Sequence, residues 1–232
     1  MRSRRPYLLL TIVVTTCIAP IGCDSSRDDY RRSSTSQTAA TTAASWESQV
    51  SDVREGRSTA ITGDFDALTA DQIRELVLLD RLMELQLPRH PANDEFAVGI
   101  AKLKALQVLV LGETAIGGKG WAAITSLTQL KRLNLASCNI GDAELARLPA
   151  LSDLESLRLG SPNITDAGLA HIAEMPKLRH LILRQMPITD TGVIALAELP
   201  RLESLYLEGT QVTESGEREL LRLRPDLHLH FP

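Results

Sequence analysis

From Leu82 onward the chain sets leucine on a fixed grid. At steps of 24 residues leucine stands at Leu82, Leu106, Leu130, Leu154, Leu178 and Leu202. Three residues later come Leu85, Leu109, Leu133, Leu157, Leu181 and Leu205, and two further on Leu87, Leu111, Leu135, Leu159, Leu183 and Leu207. A weaker apolar position follows five residues behind, held by Ala92, Ile116, Ile140, Ile164, Ile188 and Val212. The L-x-L alternation has the period of a β-strand, so its leucines point to one side and the residues between them to the other. After each strand the period changes. Thr165, Thr189 and Thr213 stand where a hydroxyl caps a helix, and Asp166, Asp190 and Glu214 follow, suited to the positive helix end. Leu169, Ile172 and Met175, and one unit later Val193, Leu196 and Leu199, recur at helical spacing and turn back toward the core. Each unit reads strand, turn, helix, return. No unit buries its leucines alone, so neighbours must stack.

L-x-x-L-x-L with the later apolar position, joined to Ile164-Thr165-Asp166-Ala167-Gly168-Leu169 and its equivalents, resembles the ITDxGL type of bacterial leucine-rich repeat protein, near the cysteine-containing subclass. The resemblance covers residues 82–226 as six repeats. It implies an α/β fold, a leucine-rich repeat solenoid shaped as a curved horseshoe arc, with a parallel β-sheet on the concave face and helices on the convex face. It also implies a scaffold that binds other proteins without catalysing a reaction.

The flanks read as ends of this array. Residues 46–81 form an N-terminal cap with a degenerate repeat. Ile61, Leu68, Ile73, Leu76 and Leu79 take core positions while Ser58 and Gly63 replace leucines, and Trp46, Val50 and Val53 share one helix face. Residues 227–232 form a closing strand, with Leu227, Leu229 and Phe231 alternating against His228 and His230.

Residues 1–22 have a different character. A basic start (Arg2, Arg4, Arg5) leads into the apolar stretch Tyr7–Ala19, too short for the roughly 20 residues of a membrane span and suited to a signal peptide. Its end, Gly22-Cys23, resembles the bacterial lipobox, in which the cysteine is lipidated; Pro20 departs from the aliphatic residue usual there. The expectation is export to the cell envelope with a lipid anchor at Cys23. Plain secretion or periplasmic release is the alternative. Ser3-Arg4-Arg5 also resembles the twin-arginine export signal, although any signal peptide needs a basic start. Residues 23–45, rich in Ser, Thr and Ala, bury too little to fold and read as a disordered tether.

Composition narrows the partner. Aromatic residues make up only 3%, so the core is aliphatic, and the formal charge is −4. The first 22 residues hold three arginines and no acid, leaving 22 basic against 29 acidic residues, or −7, in the remainder. That balance argues against a nucleic-acid partner. The outward strand positions of the middle units nevertheless gather Arg132, Arg158, His180 and Tyr206, with Lys131, Arg179 and Arg184 beside them. This basic cluster fits docking of an acidic protein by a monomeric scaffold; ordinary solvated charge, in an envelope spacer with no specific partner, is the alternative.

No cofactor, metal or catalytic group is expected. Cys138 lacks a paired base and stands at a turn position held by Thr114 and Thr210 elsewhere. His228 and His230 are two ligands where zinc needs three or four. The acidic column Asp142, Asp166, Asp190 and Glu214 reads as helix capping ahead of cation binding, and Trp121 reads as core.

Overall fold

The computed structural model describes residues 44–65 and 67–230; Cys23, the residues before it and Phe231 lie outside that range. Strand and helix alternate throughout: α1 (Trp46–Arg54), β1 (Ala60–Thr62), α2 (Ala70–Leu76), β2 (Glu84–Leu87), α3 (Asp94–Ile100), β3 (Val108–Glu113), α4 (Gly118–Ile124) and β4 (Arg132–Ser137). There follow α5 (Asp142–Leu145), β5 (Ser156–Gly160), α6 (Asp166–Ala173), β6 (His180–Arg184), α7 (Asp190–Ala195), β7 (Ser204–Glu208), α8 (Glu214–Leu223) and β8 (His228–His230). The eight strands form one open parallel sheet in sequence order, with no strand exchanged.

Register follows the leucine grid. Ile61 faces Leu85, and Leu85, Leu109, Leu133, Leu157, Leu181, Leu205 and Leu229 then pair strand to strand. The inner leucines are closed to solvent: Leu85, Leu109, Leu133, Leu157, Leu181 and Leu205 all have zero exposure. Burying a leucine contributes about 1.5–3 kcal/mol, and here each one needs the coils on both sides. Trp121 is also fully buried, its indole N–H donating to the Glu144 carbonyl at 2.6 Å. Val212, in the turn after β7, is only half-buried, unlike Ile116, Ile140, Ile164 and Ile188 at the equivalent position.

The first edge of the sheet is closed by a side chain. Gln49 on α1 donates to the Thr62 carbonyl at 2.9 Å and accepts the Thr62 N–H at 2.8 Å, so its amide stands in for a further strand beside β1. An unpaired edge is a template for unwanted pairing, and the amide removes part of it. Trp46, Val50 and Val53 seal the core beneath, with Trp46 edge-on to Phe65.

The helix starts carry the join between coils. Thr165, Thr189 and Thr213 cap α6, α7 and α8 through their hydroxyls. The acidic column does more than suit each helix end. Asp142 accepts the N–H of Thr165 (2.8 Å) and its hydroxyl (2.6 Å), Asp166 does the same for Thr189 (2.8 and 2.5 Å), and Asp190 for Thr213 (both 2.7 Å). Asp94 accepts the Gly117 N–H at 2.7 Å in the same way. The reading of these residues as separate caps is therefore corrected: each carboxylate holds the coil that follows. Glu214 leaves the column and pairs with Arg218 of its own helix.

A glycine three residues after the helix cap, as in T-D-x-G at 165–168 and 189–192, makes room for this carboxylate. A Cβ added at Gly120, Gly168, Gly192 or Gly216 would stand 2.2–2.5 Å from the aspartate oxygen of the preceding coil. One joint is built otherwise. Gly118 occupies the aspartate position and Glu144 the glycine position of the next coil. There the Gly141 N–H is satisfied at 2.9 Å by Glu144 of its own helix. Loss of the aspartate and loss of the glycine compensate each other.

Candidate protein-binding face

The residues between the inner leucines point away from the core and form two columns across the sheet. One runs Glu84, Val108, Arg132, Ser156, His180, Ser204, His228 and the other Gln86, Val110, Asn134, Arg158, Ile182, Tyr206, His230, each pair of neighbours in strand register. Cross-strand neighbours lie about 4.8 Å apart, so each column is a continuous stripe. Beyond Glu84 neither stripe contains a carboxylate, and both contain an arginine. The arginines and rings alternate sides: Arg132, Arg158, His180, Tyr206 and His228 zigzag from β4 to β8.

The other cluster residues have different surroundings. Arg179 makes a two-pronged contact with Glu203 at 2.9 and 3.0 Å, which raises its pKa, and Arg184 pairs with Glu208 at 2.5 Å. Lys131 and Arg179 share a flanking column with Glu155 and Glu203, while Lys177 holds Asp153 at 2.6 Å and keeps that carboxyl below its ordinary range. The sequence reading gathered the cations and passed over these acids. The signal was available, since Glu203 and Glu208 each stand one repeat after the arginine they pair with. The flanking column is charge-balanced, and the positive excess belongs to the central stripes.

Two ring contacts order the far half of the face. The His180 Nδ1 lies 2.9 Å from the Ser204 hydroxyl. Burial holds His180 below its ordinary pKa; Glu203 and Glu155 pull upward, Arg179 and Arg132 downward. His230 stacks flat on Tyr206, with centroids 4.1 Å apart and planes 3° from parallel.

The remaining chemistry-bearing residues sit elsewhere. Cys138 lies in the turn at the strand ends, its N–H and thiol both directed at the Gly160 carbonyl (2.8 and 3.4 Å), and Thr114 plays the same part toward Ser137 one coil earlier. Burial pushes the Cys138 thiol up to about 11. Among the described residues no three His, Cys, Asp or Glu side chains are grouped as a metal site, and no helix is long and apolar enough to cross a membrane.

This geometry, one parallel sheet with a helix or turn returning each coil, defines a leucine-rich repeat solenoid. A family model described as Leucine Rich repeat matches residues 126–143 and 174–197. Two solved structures are similar. An internalin from Listeria monocytogenes is 24% identical with a TM-score of 0.56, covering 78% of this chain and 48% of its own. A leucine-rich repeat protein from Leptospira interrogans is 19% identical with a TM-score of 0.52, covering 75% and 48%. This chain thus spans about half the length of either. No curated protein sequence matches it. The fold is that of leucine-rich repeat proteins, which commonly serve as protein-interaction scaffolds.

Proposed function

We propose that this chain is a non-catalytic scaffold that docks a partner protein on the outward stripes of its sheet. One observation carries the reading: from β3 to β8 the two stripes hold Arg132, Arg158 and the histidines with no carboxylate among them, on a chain whose overall charge is −4. A surface of opposite sign to its own molecule attracts an acidic partner. Reversing both charges in Arg132→Glu/Arg158→Glu is expected to abolish partner crosslinking in the native envelope while circular dichroism stays unchanged. Retained crosslinking by the folded variant overturns the reading in favour of a spacer.

The envelope setting is part of the proposal and rests on residues 1–45. Export by the basic and apolar leader, lipidation at Cys23 and a polar tether would hold the solenoid off a membrane surface. Labelled palmitate should enter the wild type and not Cys23→Ser; an unlabelled wild type leaves the secreted form.

A further inference from the structure

We infer that the strand face reads an extended acidic–apolar motif of a partner polypeptide: a carboxylate held by Arg132 and, about four residues away along the partner, an apolar side chain seated on Tyr206. The inference rests on the reading above that the strand face is the docking site, and it adds the partner's chemistry and its spacing.

The two anchor points differ in kind. Arg132 is exposed on β4, and its side chain makes no ion pair or hydrogen bond among the described residues, whereas Arg179 and Arg184 are each paired with a glutamate. From β3 to β8 neither stripe holds a carboxylate that could occupy it. A guanidinium placed in this way takes a carboxylate through two parallel hydrogen bonds.

Tyr206 stands toward the other end. His230 stacks flat on its ring, with centroids 4.1 Å apart and planes 3° from parallel, and Ile182 flanks it in register on the β6 side. All three are half-buried. The neighbouring stripe uses its polar groups on itself there, since the His180 Nδ1 lies 2.9 Å from the Ser204 hydroxyl. What faces a partner is an apolar seat with a fixed ring at its centre. A rigid aromatic supplies contact area with little loss of side-chain entropy, and residues of this kind dominate the energy of an interface. His230 is then a positioning residue, acting on the partner through Tyr206.

The spacing follows from the sheet. Arg132 shares a register row with Ser156, His180 and Ser204, and Tyr206 lies two residues beyond Ser204 on β7. Three strand steps are roughly 14 Å and two residues along a strand about 6.6 Å, which sets the diagonal at about 16 Å. An extended segment laid along it advances about 3.3 Å per residue with side chains alternating, so only an even separation turns both toward the sheet. Four residues span about 13 Å, and the length of the arginine side chain bridges the difference. Six residues, at about 20 Å, carry the second side chain past Tyr206.

The test is selection of displayed random peptides on the immobilised full chain, followed by anisotropy of a labelled enriched peptide. Enriched sequences should carry Asp or Glu about four positions from an aromatic or branched apolar residue. Arg132→Glu and Tyr206→Ala, each with unchanged circular dichroism, should weaken the enriched peptide by at least about tenfold. His230→Ala should weaken it too, and His230→Phe, which restores a ring on Tyr206, should return it to within about twofold of the wild type. No enrichment, enrichment without the pair, or full affinity in the folded Tyr206→Ala variant overturns the motif. If Arg132→Glu alone abolishes binding, the docking-face reading stands without the motif; if Arg132→Glu/Arg158→Glu also binds like the wild type, that reading fails with it. A wild type of twice the chain mass by light scattering, returned to a single chain by Tyr206→Ala, overturns the polypeptide motif in favour of a second copy.

Discussion

The join between coils can be tested by a double-mutant cycle on Asp166 and Gly192. In Gly192→Ala the new Cβ would lie 2.2 Å from the Asp166 Oδ1 and 2.7 Å from its Cγ. Overpacking of this kind costs about 1–3 kcal/mol, and the better helix former in the first turn of α7 offsets it by roughly 0.5–1 kcal/mol. The net loss is about 1–2 kcal/mol. Asp166→Ala removes the acceptor of the Thr189 N–H and hydroxyl, bonds of 2.8 and 2.5 Å. Bonds to a charged acceptor are worth about 1.5–3 kcal/mol when buried; Asp166 is half-exposed, so the pair together is worth about 2 kcal/mol. Truncating Asp166 removes the two nearest of those atoms, Oδ1 and Cγ, and leaves its Cα at 3.0 Å from the Cβ added at position 192. The double variant should therefore be little less stable than Asp166→Ala alone. Coupling of about 1–2 kcal/mol follows, read by urea unfolding with the m-value held constant. Additivity within about 0.5 kcal/mol would refute the carboxylate-over-glycine account.

Three further outcomes rest on other contacts of the solenoid. Arg224 is mostly buried and donates to the Leu199 and Leu202 carbonyls at 2.7 Å each; Arg224→Met should lower stability by about 2–3 kcal/mol, seen as a drop in urea midpoint. The Cys138 thiol, ordinarily near 9.0 and raised to about 11 by burial, keeps its proton in the folded state after the unfolded chain has lost it. Stability should be full below pH 9 and fall by about 2–3 kcal/mol toward pH 11, and Cys138→Ala should lack that component when the two proteins' unfolding curves are compared. Gly118→Asp alone should destabilise, because its side chain enters the space of Glu144, whose Oε1 lies 3.2 Å from the added Cβ. Adding Glu144→Gly should recover the melting temperature by restoring the motif of the other coils; a double variant no better than the single one contradicts the compensation.

The fold was legible because a strand betrays itself by period two and a solenoid by strict return, and Leu85 through Leu205 supply both. The threonine caps were legible for the same reason, since a cap acts within its own coil. Asp142, Asp166 and Asp190 were harder. Each looks locally like a helix-start acid, and its true partner appears only once coil is stacked on coil at 23 residues' distance. The face was legible in outline and misweighted in charge. Arg179 and Arg184 stood in the cluster without the acids that pair with them, Glu203 and Glu208, while Arg132, Arg158 and His180 lie in the stripes themselves. The stacking of His230 on Tyr206 had no local signal, because it depends on β8 joining β7 in register.

Every aspartate of the ladder reaches forward along the chain and none reaches back. Within each run of the ladder a coil supplies an acceptor to its successor, as monomers do in a head-to-tail polymer. An array with such polarity can lengthen or shorten only by whole units cut in phase, since any other cut strands a carboxylate or sets a side chain against it. The joint between α4 and α5 is free of that rule, because no carboxylate crosses from Gly118 and Glu144 serves its own helix. It is a seam: units inserted or lost there leave the blocks on either side with their ladders intact.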